Sequence, residues 1–291
     1  MDLNTPGLYH GVPEKTYLDL THASRSDLQL ILRSPAHYYA ARRDPDRPVD
    51  DNTPAKRAGK ILHTCILEPD KFDKRFVVVP EDAPRRPSIT QRNAKNPSGD
   101  TLFAIDWWDS FNHNNQDREI IGSDEWDKYH KISKAVRTHP EISGWMAEGY
   151  AEVTIIAKDE ETGLLCRARP DFVTALNQMT IMLDLKSAED ARPDAFMKSA
   201  WNYGYFHQHI WYRDCFEKAT GAPPDLFLLA PFEKEPPYAV KLYEPAEDSL
   251  ERASQDNRRA LRLLADCLEK NQWPSYSTDI ERLHMPAWVT K

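Results

Sequence analysis

The chain has 291 residues, 40% of them hydrophobic, with 8 Trp, 10 Phe and 12 Tyr, enough to build a sizeable core in one large domain or two small ones. A formal net charge of −8 argues against a protein that coats nucleic acid without specificity, but leaves room for a local basic patch. No apolar run approaches the roughly 20 residues that span a bilayer, and the opening MDLNTPGLYHG lacks the basic and apolar regions of a signal peptide, so the chain reads as cytoplasmic with no membrane partner. Cys65, Cys166, Cys215 and Cys267 are scattered without a CxxC pair, so buried free thiols are expected, not disulfides or an iron–sulfur cluster.

In chain order, Ser26-Asp27-Leu28-Gln29 carries a capping-box pattern and predicts a helix through Leu28, Leu30, Ile31 and Leu32. Ser34-Pro35 restarts it, with Pro in the first turn. Residues 44–55 read as a polar, Pro-rich loop, and a helix is expected over about 56–67, stopping at Glu68-Pro69. Residues 76–79 predict a short strand and 80–100 a long basic loop. Two or three Trp-rich helices are expected over 101–147, with Ser123 as a cap. Strands at about 150–158, 164–175 and 180–187, turned at 160–163 and 176–178, predict an antiparallel meander. One long helix is expected over 193–220, then a buried strand at 226–229, an alternating strand at 238–242 and a charged amphipathic helix over 247–270. With no internal repeat or clean boundary, a single α/β domain over 1–291 is expected. Its helical N-terminal elaboration would span about 20–147, its core about 148–245 and its C-terminal helix about 246–271.

The chemistry concentrates in Ala168-Arg169-Pro170-Asp171-Phe172-Val173 and Met182-Leu183-Asp184-Leu185-Lys186-Ser187. Side chains alternate along a strand, so Asp184 and Lys186 share a face, and Asp171 on a neighbouring strand about 4.8 Å away can meet them. Two acids and a lysine at a sheet edge suit a divalent cation and an activated water, the chemistry of phosphodiester hydrolysis; a surface ion pair is the plainer alternative. In the functional reading Asp171, Asp184 and the backbone carbonyl of Leu185 bind Mg²⁺ or Mn²⁺. Lys186 orients or deprotonates the attacking water and steadies charge on the phosphate. Glu152 shares the other side of its strand with Thr154, as a further metal ligand, a holder of a metal-bound water, or an exposed acid covering an open sheet face. Gln208 and Tyr212 stack on one helix face with Tyr205, within reach of the phosphate or the acids, or simply as part of an amphipathic helix. His207 and His209 fall on other faces and read as non-ligands. His63, alone on an apolar helix, is by composition most often a satisfied core residue. In the 80–100 loop, Arg85, Arg86, Arg92 and Lys95 are candidate DNA contacts.

Five segments, taken in order, carry a family resemblance: the S-x-S-x-L…S-P-x-H-Y helix from Ser24 to Tyr38, the G-x-x-x-H-x-x-I-L-E-P helix from Gly59 to Pro69, RPDFV, LDLKS and the Q-x-x-x-Y helix. Together, over about residues 20–215, they resemble the PD-(D/E)XK nuclease superfamily, and within it the RecE (exonuclease VIII) type of phages and prophages. The resemblance implies a restriction-endonuclease-like α/β core with a mixed central sheet flanked by helices. It implies an active-site set of His63, Glu152, Asp171, Asp184 and Lys186 supported by Gln208 and Tyr212, with His63 contacting a metal-bound water or a phosphate. The implied activity is metal-dependent digestion of linear double-stranded DNA from the 5′ end. That would leave 3′ overhangs for a single-strand annealing protein in the bacterial host cell. A homo-oligomeric ring, trimer or tetramer, around the DNA is implied as well. An endonuclease on the same core, or a catalytically silent DNA-end or protein-binding module, are the alternatives.

Overall fold

The structure is a computed structural model that describes residues 2–47 and 53–285. Strand β1 (Gly7–Tyr9) and helix α1 (Glu14–Asp19) lead into α2 (Arg25–Arg33). The cap of α2 is Ser24, not Ser26: its backbone N–H donates to the Asp27 carboxylate at 2.9 Å while its hydroxyl accepts from the Asp27 N–H. Asp27 thus closes the box that Gln29 was expected to close. Ser34 caps α3 (Pro35–Arg42) with Pro35 in its first turn, as expected. Residues 48–52 of the expected 44–55 loop lie outside the described residues. Thr53 caps α4 (Pro54–Leu67), and a 3-10 turn at Pro69–Lys71 joins it to α5 (Phe72–Arg75) and β2 (Phe76–Val78).

The expected basic loop holds a short helix, α6 (Ile89–Arg92), and ends in α7 (Gly99–Asn114). Strand β3 (Glu119–Ile121), too short to show periodicity, pairs in parallel with β2. Gly122, not Ser123, caps α8 (Ser123–Arg137), and α9 (Pro140–Trp145) follows.

The remaining elements are β4 (Tyr150–Ala151), β5 (Thr154–Lys158), β6 (Leu165–Ala168), β7 (Phe172–Leu176), β8 (Met179–Ala188), α10 (Pro193–Asn202), α11 (Tyr205–Thr220), β9 (Leu226–Glu233) and α12 (Glu247–Lys270). They do not form one antiparallel meander. Two of the expected strands each break in the middle. Glu152 adopts φ 56, in the left-handed region, and separates β4 from β5. Arg169-Pro170-Asp171 separates β6 from β7, where Pro170 has no N–H for a ladder. At both breaks the chain passes between a β1-β5-β6 sheet and a β4-β7-β8-β9 sheet. In the second sheet β7 and β8 are antiparallel and β8 and β9 parallel, so it is mixed. Asn177 and Gln178, at φ 51 and 66, make the tight β7–β8 turn. The expected long helix breaks at Gly204, whose φ is 68. The 238–242 segment makes only the isolated bridge Phe232–Val240, with Leu229–Tyr243 beside it, in place of a strand.

Period-two alternation along β8 places the site. Ile181, Leu183 and Leu185 pack with Ile61 and Ile66 of α4 and Ile132 and Val136 of α8. Met182, on the opposite face, packs with Trp211 and Phe216 of α11 and Leu261 and Leu264 of α12. Each such side chain contributes about 1.5–3 kcal/mol on burial. The strand bearing Asp184 and Lys186 is therefore clamped between α4 on one face and α11 on the other. All four cysteines are buried and free. Among the described residues no helix is long and apolar enough to cross a membrane.

Candidate active site and metal centre

The two breaks that split the expected meander also assemble the acids. At the Glu152 kink the backbone N–H donates to the Asp171 carbonyl at 2.9 Å, which ties the two turns together. His63, a turn before the end of α4, brings its Nδ1 to 3.8 Å from Glu152 Oε1 and 3.6 Å from Asp171 Oδ1. One ligand atom from each of His63, Glu152 and Asp171 lies within 4.8 Å of the others, a spacing that suits one cation. The second Asp171 oxygen accepts the Leu185 N–H at 2.6 Å. In a strand a residue's N–H and C=O leave from the same edge, so the Leu185 carbonyl is directed toward Asp171 as well.

Asp184 is not part of that three-residue group. It is 1% exposed; one carboxylate oxygen meets the Lys186 ammonium, and the other accepts from Gln208 Nε2 at 3.4 Å. The Lys186 ammonium also sits 4.7 Å from the centre of the Tyr205 ring. Tyr212, one turn beyond Gln208, stacks its ring on Phe227 with centroids 6.2 Å apart. His207 faces Asp256 at 3.5 Å, and His209 stacks on Phe227 at 4.4 Å.

Electrostatics follow from this crowding. Asp171, followed by Glu152, raises His63 to about 9. Burial pushes Asp171 up, opposed chiefly by His63. Burial would raise Glu152 too, but His63 and Arg169 together hold it below the ordinary carboxylate range. For Lys186 the carboxylates of Asp184 and Asp171 outweigh burial and raise it. Its ammonium is thus held charged by its neighbours. Burial raises the Tyr212 phenol well above 10.

Arg169, one of the residues quoted for the family resemblance but given no role from sequence, organises the acid side. It donates to Thr154 Oγ1 at 2.6 Å, to Glu152 Oε2 at 3.4 Å and to the Val12 carbonyl at 3.0 Å. Strand alternation, which puts residues 169 and 171 on one side, was the signal for it. Glu152, Arg169 and His63 line a cleft of about 700 Å³ whose wall also carries Lys56, Lys60, Lys71 and Arg75. Of the loop candidates, Arg92 pairs with Asp109 at 2.7 Å and Arg86 lies 4.9 Å from the Trp108 ring centre, both folded against α7. Arg85 and Lys95 are exposed.

A provisionally assigned exonuclease from Eubacterium rectale, known from a crystal structure, shares this fold: it is 14% identical, with a TM-score of 0.53 over 94% of this chain and 97% of its own. A second solved structure, SSO0001, is 12% identical with a TM-score of 0.27 over 52% of this chain and 70% of its own, too distant to bear on the fold. No curated protein matches the chain. The family model described as a PDDEXK-like domain of unknown function (DUF3799) matches residues 24–286, and the chain belongs to that family.

Proposed function

We propose that the protein is a divalent-metal-dependent exodeoxyribonuclease that digests linear double-stranded DNA from its ends. The observation that carries this is the convergence of the His63, Glu152 and Asp171 donors with the Asp184-x-Lys186 segment of β8, just where β7 begins. The donor set fits Mg²⁺ or Mn²⁺: two carboxylates, an imidazole and a nearby backbone carbonyl, in a cleft open enough for phosphate and water. Asp171, Glu152 and His63 would hold the ion, with the Leu185 carbonyl beside them and Asp184 adjoining. When bound, the ion would supply Lewis-acid polarisation of the phosphate and ease deprotonation of the attacking water.

The protein's own groups account for the rest. Lys186, kept charged by Asp184, places an ammonium where negative charge grows on the scissile phosphate. Gln208 braces Asp184, and Tyr205 backs Lys186, so the pair is aimed from the α11 side. Tyr212 supports that face of α11 by packing on Phe227. Arg169 fixes the Glu152 carboxylate through the kink. The cleft wall is mixed in charge, with Lys60 paired to Glu14 and Lys71 and Arg75 to Glu68; on this reading these cations, with exposed Arg85 and Lys95 as outlying contacts, would face the DNA backbone.

Action at DNA ends is supported by the Eubacterium rectale protein's assignment as an exonuclease and by the resemblance to RecE-type enzymes. Polarity from the 5′ end, a ring of copies around DNA, a single-strand annealing partner and a cytoplasmic site in a bacterial host rest on that resemblance. We further read residues 1–291 as a single nuclease domain. The test is Mg²⁺-dependent digestion of a linear duplex labelled at each 5′ end beside the same DNA as a closed circle. Loss of label as mononucleotides with the circle intact supports the reading. Cutting of the circle replaces it with an endonuclease, and cutting of neither with a silent binding module.

A further inference from the structure

The catalytic lysine is the inner end of a short aromatic ladder that runs to solvent. The Lys186 ammonium lies 4.7 Å from the centre of the Tyr205 ring, and Tyr205 stacks on Tyr203 with centroids 5.8 Å apart and planes 24° apart. Tyr203 is 67% exposed. In an unbroken helix, residues two apart point to nearly opposite sides, at about 200° of rotation. The two rings stack only because the helix breaks between them at Gly204, whose φ is 68.

That break is rigidly built. Arg25, from α2, donates to the carbonyls of Tyr203 at 3.2 Å and Gly204 at 3.0 Å. The left-handed φ favours glycine at 204, and a Cβ there would come within 1.8 Å of the Arg25 guanidinium, which would have to swing away from the corner. Beside the corner lies a cavity of about 650 Å³ lined by Arg25, Gln29, Trp201, Asn202 and Arg252, the last paired with Asp256. A fixed corner thus holds a large ring in water, continuous with the catalytic ammonium and bordered by guanidinium groups.

Resting on the DNA-hydrolysing reading above, we propose that Tyr203 is a stacking platform for an unpaired nucleobase of the DNA strand engaged at Lys186. A phosphate seated near Lys186 places the neighbouring nucleotide along the Tyr205–Tyr203 ladder. An aromatic face accepts any base, which suits an enzyme that must process ends of every sequence. The platform favours a frayed, single-stranded end over a paired one, because paired bases already stack on each other.

The test uses the full chain in EDTA, with fluorescence anisotropy of a labelled single-stranded oligonucleotide and of the same strand made abasic throughout. The wild type is expected to bind the intact strand about 5- to 100-fold more tightly than the abasic one. Tyr203→Ala should lose most of that gap, Tyr203→Phe should keep it, and neither should change the melting temperature, since the side chain is exposed. A Tyr203→Ala protein that still discriminates as the wild type does overturns the platform. So does a wild type that cuts DNA but does not distinguish the two strands, with the nuclease reading intact. A wild type that neither binds nor cuts DNA overturns both.

Discussion

Asp171 accepts the Leu185 backbone N–H at 2.6 Å and turns its other oxygen toward His63, 3.6 Å away. One carboxylate therefore stitches the strand after Pro170 to the Asp184-x-Lys186 strand and also faces the candidate metal site. The two duties separate by substitution. Asp171→Asn keeps an acceptor for Leu185 but loses the charge, so it should fold with near wild-type stability and lose at least about 10²-fold in turnover. Asp171→Ala orphans a buried donor and should in addition cost about 1–3 kcal/mol in chemical denaturation.

Asp184 and Lys186 form a buried pair, with side chains 2% and 12% exposed. Lys186→Ala leaves the Asp184 charge uncompensated and is expected to cost about 3–5 kcal/mol, as well as about 10²- to 10⁴-fold in turnover. The double variant Asp184→Leu/Lys186→Met should recover much of the stability and none of the activity. Denaturant unfolding beside a nuclease assay separates the two effects.

The pairing and spacing of β7 and β8 were legible because alternation is a strong signal and the 176–178 turn is short. The same rule read 150–158 and 164–175 as continuous strands, because a left-handed Glu152 leaves no mark on an alternating pattern and Pro170 sits inside an otherwise strand-like run. The continuous pattern of 193–220 likewise hid Gly204, whose role depends on Arg25, far away in sequence. Among the candidate site residues, Asp171, Asp184 and Lys186 could be proposed from local pattern. His63 could be proposed only by resemblance, since nothing on its own helix shows that two acids from distant turns reach it. Arg169 lacked any local signal except its place two residues before Asp171.

Metal should bind through the His63, Glu152 and Asp171 group. Titration calorimetry with Mn²⁺ is expected to show His63→Ala and Glu152→Gln each weakening binding by about 10- to 100-fold, and Asp171→Asn more. Ca²⁺ should compete for the site and not support turnover. Unchanged Mn²⁺ affinity in all three variants would place the ion elsewhere.

Away from the site, the buried Asp159 carboxylate meets Lys218 at 2.7 Å and Arg258 at 2.9 Å, joining the β5–β6 turn to α11 and α12. Burial would raise its carboxyl, but Lys218, Thr162 and Arg258 outweigh this and hold it well below 3.8. A depressed folded value means the stabilisation is fully present above 3.8 and is lost as pH falls through the folded value. Asp159→Asn should therefore cost about 1–3 kcal/mol near neutrality, a discounted figure because both cations are partly in water. The gap to wild type should close in strong acid, as read by denaturant unfolding across pH.

The most direct test of the account is the rate at which wild type and Asp184→Asn degrade a linear duplex in Mg²⁺, each repeated after EDTA. A two-acid, one-lysine metal site requires degradation by the wild type that EDTA abolishes, and a variant slower by at least about 10²-fold that still binds the DNA. A fully active variant, or wild-type activity that survives EDTA, would contradict it.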